Sequence, residues 1–205
     1  MDELAEELAG VRVACPHRWP ALFPAFRTWA EQPDLREKLR DHLRRLQGSD
    51  TADLGNRSRE TTTHFAWCVR DRTGEPFSFW LHEYKPQRDW RPGYADSVHN
   101  HRYHFCTTLL RGDYLHERHH VVTDPVTGLI SATELVRSST CTTGDSGYLL
   151  TGDFHRIPRA ADGTLTFLVK SRQIAPWSLS YDPATHTGHR HVPVEERLAE
   201  FVRTM

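Results

Sequence analysis

Residues 99–117, HNHRYHFCTTLLRGDYLHE, combine two closely spaced histidines with a β-like run and a turn at Gly112. On a β-strand, side chains two positions apart point to the same face, so His99 and His101 can reach one metal ion. His155, in the later sequence GDFHRI, would add a third ligand from a neighbouring strand. A metal held from one side keeps positions open for other ligands, which is typical of a catalytic site.

Short β-like runs lie on both sides of this segment. From Thr61 onward, runs such as HFAWCVRD and FSFWLHEY are separated by turns that contain Gly, Asp or Pro, and the last run is WSLSYDP. Many short strands at this spacing indicate an antiparallel sandwich or barrel. We therefore expect an all-β core over residues 61–183.

Helical patterns flank the predicted β-core. PALFPAFRTWAEQ and PDLREKLRDHLRRLQG place apolar residues three to four positions apart, and each begins with a proline, a residue that helices favour at their start. We expect helices within residues 1–50, a polar loop at SDTADLGNRSRE, and a C-terminal helix over 193–203. The length of 205 residues suits a single domain, 1–205.

The composition argues against several classes of protein. A net charge of −1 predicts neither a nucleic-acid partner nor an acidic membrane surface. The cysteines form no CxxC pair, which disfavours a zinc ribbon or a disulfide scaffold. The N-terminus lacks an apolar signal core and no stretch is long enough to cross a bilayer, so we expect a cytoplasmic protein with reduced thiols. We expect a monomer or a homodimer.

The histidines also carry a resemblance to a known superfamily. His99-x-His101, Gly112 and the lone His155 resemble the two motifs of the cupins, which implies a jelly-roll β-sandwich. The standard first motif has a glutamate separated from its second histidine by three or four residues, and this chain has Phe105 and Cys106 at those positions. A set of neutral histidines leaves the full charge of a divalent metal for anionic ligands.

The pattern HxHxxxxC, formed here by His99, His101 and Cys106, is similar to that of cysteine dioxygenase and related thiol dioxygenases. The similarity covers roughly residues 62–188 and includes FAWCVRDRTGEPFSFWL, HRI, TLTFLVKS and YDPATHTG. It implies that the two histidines and His155 hold a non-haem Fe(II), with Zn, Ni or Mn as possible substitutes. It also implies that a small-molecule substrate and O2 bind at the metal and that sulfur is oxidised.

Two positions depart from that family and supply further candidate residues. The motif cysteine of cysteine dioxygenases can be cross-linked to a tyrosine, whose position falls on Lys170 here. We therefore take Cys106 and Lys170 as candidate catalytic side chains. The family's carboxylate-binding arginine falls on Trp67, which predicts a substrate larger and more apolar than cysteine. The candidate substrate-binding residues are Trp67, Arg70, Trp80, Tyr103 and Tyr181.

Several alternatives stay open from the sequence. The same three histidines could hold another divalent metal for oxidative cleavage, hydroxylation or isomerisation, or the protein could bind a small molecule without turnover. Strand alternation points Cys106 away from His101 unless a bulge turns it inward. Two further histidine-rich segments could hold a metal or simply be surface histidines: HERHH, with His116, His119 and His120, and HTGHRH, with His186, His189 and His191.

Overall fold

A computed structural model describes residues 1–11, 19–46 and 48–205, so that Cys15 lies outside the described residues. Helices precede and follow the β-core. They are α1 (Asp2–Gly10), α2 (Trp19–Ala30), α3 (Leu35–Arg45), α4 (Gly48–Arg57) and the C-terminal α5 (Val194–Thr204).

The strands between these helices form two antiparallel sheets. In chain order they are β1 (Arg59–Glu60), β2 (His64–Arg70), β3 (Phe77–Tyr84), β4 (Val98–His99), β5 (Phe105–Arg111), β6 (Asp113–Thr123), β7 (Ile130–Thr142), β8 (Ser146–Leu149), β9 (Phe154–Ala160), β10 (Leu165–Ser171), β11 (Ser178–Asp182) and β12 (Thr187–His191). The first sheet has the order β1-β2-β3-β10-β5-β8, and the second has the order β12-β11-β4-β9-β6-β7. The predicted all-β core, an antiparallel β-sandwich with flanking helices, is confirmed.

Both faces of the first sheet carry buried apolar side chains. Alternate residues of each strand point to opposite faces, so neighbouring residues belong to different clusters. Phe79 of β3 and Phe167 of β10 pack with Trp19 and Phe26 of α2 in the largest apolar cluster. The neighbouring residues on the same two strands belong to a separate cluster on the other face, within the sandwich. The N-terminal helices therefore cover one face of this sheet and leave the other for the space between the sheets.

Three local details differ from the sequence predictions. Most of the polar segment 49–60 is helix α4 rather than a loop, and its Leu54 packs against the apolar cluster that contains Ala66. HTGHRH, which we expected to follow the last strand, contributes β12. His101 lies just after the short strand β4 and not on it.

A glycine turn joins β5 to β6 and so helps to place the second sheet. Gly112 has a φ of +82°, a backbone conformation that costs other residues energy. A Cβ atom at this position would contact the Thr164 hydroxyl and would lie 3.0 Å from its Cα. The turn thus requires glycine for both its conformation and its close approach to the neighbouring chain.

Within the described residues, no helix combines the length and the apolar character needed to cross a membrane.

Candidate metal centre

Three histidines converge at one point between the two sheets. β4 pairs with β9 so that His99 lies directly opposite His155, and His101 reaches the same point from the segment after β4. Their potential ligand nitrogens all lie within 4.8 Å of one another. The predicted trio is therefore brought together by the fold, although only His99 and His155 are held there by strand pairing.

The spacing of these nitrogens fits a metal ion. The Nε2 atoms of His101 and His155 lie 2.9 Å apart. Two neighbouring ligands at right angles on a metal, with metal–nitrogen bonds of about 2.1 Å, are separated by about 3 Å. This pair could therefore ligate one ion with little movement, and the same group of potential ligands includes His99.

Hydrogen bonds bear on which ring nitrogen His99 and His155 present to a metal. Nδ1 of His99 lies 2.8 Å from the carbonyl oxygen of Ser97, and it must carry the proton because a carbonyl only accepts. Nε2 of His99 is then left with a lone pair for a metal. Nδ1 of His155 lies 3.2 Å from Nε2 of His116 on β6. If His155 ligates through Nε2, its Nδ1–H donates to His116, which holds the ring in place.

Asn100, between the two motif histidines, fastens the motif to both neighbouring segments. Its side-chain amide donates to the Thr151 carbonyl at 2.8 Å, and its side-chain oxygen accepts from the Leu179 N–H at 2.7 Å. The Tyr94 hydroxyl donates to the Asn100 carbonyl, and the Tyr94 ring lies 4.4 Å from the ring of His99. The position of the motif is thus set by side chains that are not ligands themselves.

Burial keeps the imidazoles of the site neutral. It lowers the pKa of His99 to about 4, and it lowers the pKa values of His101 and His155 well below the ordinary value. Burial likewise lowers the pKa of His116 to about 4. A neutral imidazole has the lone pair that metal binding requires, so all three candidate ligands are available at neutral pH.

A small interior cavity of about 60 Å³ opens beside the three histidines. Phe105 lines it, with its ring perpendicular to that of His101 and the two ring centroids 5.0 Å apart. His64 and His82, stacked with ring centroids 4.3 Å apart, face the cavity from the first sheet. Among the described residues that line this cavity there is no carboxylate.

A larger cleft of about 640 Å³ leads outward from His99 and His101. Its lining includes Tyr94 and Ala95 from the long segment KPQRDWRPGYAD, together with Arg59 and Arg102. This volume lies within the range of small-molecule sites in proteins. The cleft and the interior cavity share His99 and His101, so a ligand in the cleft could reach the metal position.

Only one of the predicted substrate-binding residues lines these spaces. Tyr103 borders both of them, with its ring 5.2 Å from that of His101. Lys170 lies next to Tyr103, and its Nζ is 3.5 Å from the ring centroid of Trp80 and 4.7 Å from that of Tyr103. Burial lowers the pKa of Lys170 well below its ordinary value. Neither Trp80 nor Lys170 is among the described residues that line the cleft or the cavity.

The other predicted site residues lie elsewhere. Cys106 stays on the helix-facing side of β5 because its strand continues without an inward bulge at that point, and it packs in the cluster of α2. Trp67 points outward, is 44% exposed and donates to Glu83. Arg70 forms ion pairs with Asp2 and Glu75. Tyr181 packs with Val98, on the face of its sheet opposite to His99.

The two further histidine-rich segments contribute one residue each to the region of the site. His116 of HERHH contacts His155, while His119 faces Glu117 at 3.3 Å. His191 of HTGHRH lines the cleft, and its ring lies 4.7 Å from that of Tyr94. Sequence alternation could have suggested His116, two positions after the apolar Tyr114, but not its contact with a strand forty residues away.

No protein-family model matches this sequence, and no curated protein matches it either.

Several solved structures of enzymes have a detectable likeness to this chain. An oxalate decarboxylase of Bacillus subtilis is 18% identical over 70% of this chain and 34% of its own, with a TM-score of 0.39. The hydroxypropylphosphonic acid epoxidase of S. wedmorenis is 14% identical over 53% of this chain and 50% of its own, with a TM-score of 0.34. A DMSP lyase of Ruegeria pomeroyi is 12% identical over 56% of this chain and 55% of its own, with a TM-score of 0.36.

The matched part of this chain therefore spans between about a third and about half of the length of those proteins. Sequence identities and TM-scores this low do not indicate an activity for this chain. The similarity to thiol dioxygenases therefore stays a prediction.

Proposed function

We propose that this protein is a mononuclear non-haem iron oxygenase of the cupin type, which uses O2 to oxidise a small-molecule substrate, with sulfur as the predicted site of oxidation. The observation that carries the proposal is the convergence of His99, His101 and His155, with ligand nitrogens within 4.8 Å of one another. These histidines would hold the iron. The proposed partners are the substrate and O2, and the proposed assembly is a monomer or a homodimer.

The chemistry of the donor set supports this proposal. Three neutral imidazoles leave the charge of a divalent ion uncompensated, and one-sided ligation leaves positions for a substrate atom and for O2. Bound Fe(II) would supply the redox centre for reaction with O2. The choice of iron over Zn, Ni or Mn rests on the resemblance to thiol dioxygenases.

The chain's own residues would orient the ligands and exclude water. His116 and the Ser97 carbonyl orient two of the rings. Phe105, Leu149 and Leu168 supply an apolar wall beside the histidines. An apolar wall limits competing water at the reacting centre, and the cleft provides the approach for the larger substrate.

Metal analysis tests the central claim. Anaerobic addition of Fe(II) to metal-free protein, followed by desalting, should leave close to one iron per chain. His101→Ala and His155→Ala should retain little iron, while His120→Ala, at an exposed position of β6, should retain the wild-type amount. Wild-type protein that binds no iron, or ligand variants that bind it normally, would overturn the proposal.

Oxygen uptake separates the proposed activity from its alternatives. The iron-loaded protein should consume O2 faster in the presence of candidate thiols than without them, and the His155→Ala variant should not. Stoichiometric metal binding with no O2 uptake for any substrate found would instead favour an isomerase or a binding protein built on the same histidines.

A further inference from the structure

A second cavity, of about 220 Å³, opens at the edge of the sandwich opposite to the outer cleft. The cleft lies where β1 and β12 end the two sheets, whereas this rear cavity is lined by β5 and β8 of the first sheet and by β6 and β7 of the second. It shares Thr107, Tyr114, His116 and Leu149 with the interior cavity. His116, which contacts His155, therefore belongs to the walls of both spaces.

Two arginines lie directly opposite each other in the rear cavity. Arg118 of β6 is paired with Arg137 of β7, and on its other side Arg118 is paired with His155 of β9. Residues that are paired across a ladder point to the same face of a sheet. Both arginines therefore lie on the inner face of the second sheet, the face that carries His155, and both line the rear cavity.

This pairing of like charges is unfavourable for the sheet by itself, because like charges at directly opposite positions repel each other. The next position along β6 shows the ordinary arrangement on the outer face, where Glu117 lies opposite Arg156 of β9. An anion between Arg118 and Arg137 would replace the repulsion with two attractive contacts.

The two guanidinium groups retain donors for such an anion. Within the described part of the chain Arg137 forms no ion pair, and its Nε donates to the Ser139 hydroxyl at 2.9 Å. Arg118 lies 3.6 Å from Oδ2 of Asp153, an oxygen that already accepts the Leu150 N–H at 2.7 Å. Each guanidinium has five N–H donors, so most of them stay available to a ligand.

The described lining of the rear cavity includes one carboxylate, that of Asp145. Its Oδ2 accepts the Thr142 N–H at 2.7 Å and the Thr142 hydroxyl at 3.2 Å, so it is engaged in the turn between β7 and β8. The charges of Arg118 and Arg137 also lower the pKa of His116, after the larger effect of burial. Positive charge thus extends from the rear cavity to the ring that contacts His155.

We propose that the rear cavity binds a small oxyanion of the phosphate or sulfate type between Arg118 and Arg137, and that this anion strengthens metal binding at the three histidines. Guanidinium groups suit the first task because they form directed, charge-assisted hydrogen bonds with oxyanions. The hydroxyls of Ser139 and Thr107, which also line the cavity, can add further donors. The ligand of this site is distinct from the substrate, which approaches through the outer cleft.

The link to the metal follows from charge. Without an anion, the positive charges of Arg118 and Arg137 disfavour a divalent cation at the nearby histidines, and a bound anion offsets this repulsion. Because linkage is reciprocal, a bound metal should likewise strengthen anion binding. This second part of the inference rests on the proposed function for the position of the metal.

Calorimetric titration of metal-free protein with inorganic phosphate, at an ionic strength fixed with NaCl, tests the anion site alone. Wild-type protein should bind one phosphate per chain. Arg137→Gln should bind it about tenfold more weakly, and Arg137 is exposed, so its replacement should leave the fold intact. Arg159→Gln, at an exposed position of β9 outside the cavity, should match the wild type. Absence of binding to wild-type protein, or equal binding to Arg137→Gln, would overturn the inference.

Competition with a chromophoric chelator for Co(II) tests the link, with sulfate compared against NaCl of equal ionic strength. Sulfate should raise the cobalt affinity of wild type and Arg159→Gln about fivefold and leave that of Arg137→Gln unchanged. A rise that persists in Arg137→Gln would mean that sulfate ligates the metal directly, and no rise in wild type would mean that the sites are independent. Either result would overturn the link. Failure of the wild type to bind cobalt would count against the proposed function alone, since the phosphate titration needs no metal.

Discussion

Nε2 of His116 lies 3.2 Å from Nδ1 of His155, so a residue of β6 holds the ring of a candidate ligand on the neighbouring strand β9. This contact predicts a role for His116 in metal affinity. His116→Phe should keep the ring volume but remove the acceptor, and metal affinity should fall about 10- to 100-fold. The affinity would be measured by competition with a chromophoric chelator.

His116→Gln provides the rescue variant, because its amide oxygen can accept the same hydrogen bond. We expect it to recover part of the lost affinity. His120→Gln, at an exposed site on the same strand, should match the wild type. Equal affinity in His116→Phe and wild type would contradict the assigned contact.

Loss of the Asn100 side chain should lower the stability of the folded protein and weaken metal binding. Asn100→Ala removes two side-chain hydrogen bonds and leaves the Leu179 N–H and the Thr151 carbonyl without these partners. The free energy of unfolding in urea should fall by about 2–4 kcal/mol. Gln87→Ala removes an exposed hydrogen bond from the Gln87 side-chain amide to the Pro158 carbonyl. It should lower the free energy of unfolding by less than about 0.5 kcal/mol. Similar losses in the two variants would show that Asn100 has no special structural role.

His64 predicts how the stability of the metal-free protein depends on pH. Burial, followed by the charge of Arg59, lowers its pKa to about 3. Between about pH 6.5 and pH 3 the unfolded chain binds a proton at this residue and the folded protein does not, so stability falls as pH falls.

The effect is at most about 1.4 kcal/mol per pH unit for one such group. Urea unfolding at about pH 7 and about pH 5 should therefore show a smaller difference for His64→Phe than for the wild type. His120→Gln should retain the full difference. An unchanged slope in His64→Phe would mean that His64 is protonated in the folded protein.

Substitution of Cys106 should lower the stability of the protein but leave its reaction with O2 unchanged. Its side chain is fully buried on the helix-facing side of β5, and burial raises the pKa of its thiol far above the ordinary value. Cys106→Ala should lower the free energy of unfolding by about 1 kcal/mol through a small cavity. Its iron content and its rate of O2 uptake should match those of the wild type. Loss of uptake in a folded, iron-loaded variant would restore Cys106 as a candidate for the reaction.

Gly112 and Gly74 form a matched pair, since both have positive φ angles, of +82° and +87°. A Cβ at Gly74 would meet nothing within 4 Å, whereas one at Gly112 would contact Thr164. Gly74→Ala should cost about 1 kcal/mol from backbone strain alone, and Gly112→Ala about 3 kcal/mol. Equal losses by urea unfolding would show that the close approach of Thr164 is absorbed without cost.

Local patterns were sufficient for the β-core and for His99 and His101 as candidate ligands. Alternating apolar runs predict strands because their period matches the pleat, and HFAWCVRD and FSFWLHEY form β2 and β3 accordingly. The alternation also predicts that Cys106 points away from the histidines, as observed. The polar segment 49–60 was mistaken for a loop, because its helix depends on packing against the sheet.

The sequence by itself determined the strand-rich fold class and the pair of His99 and His101, since both follow from residue type and short-range spacing, whereas His155 entered only through a resemblance between motifs. Only the tertiary structure decided which residues surround those histidines. Strand pairing brings His116 to His155, and the meeting of the two sheets places Arg59 and Arg102 at one cleft. Residues far apart in the chain become neighbours through pairing and register, and a local pattern carries no information about that choice.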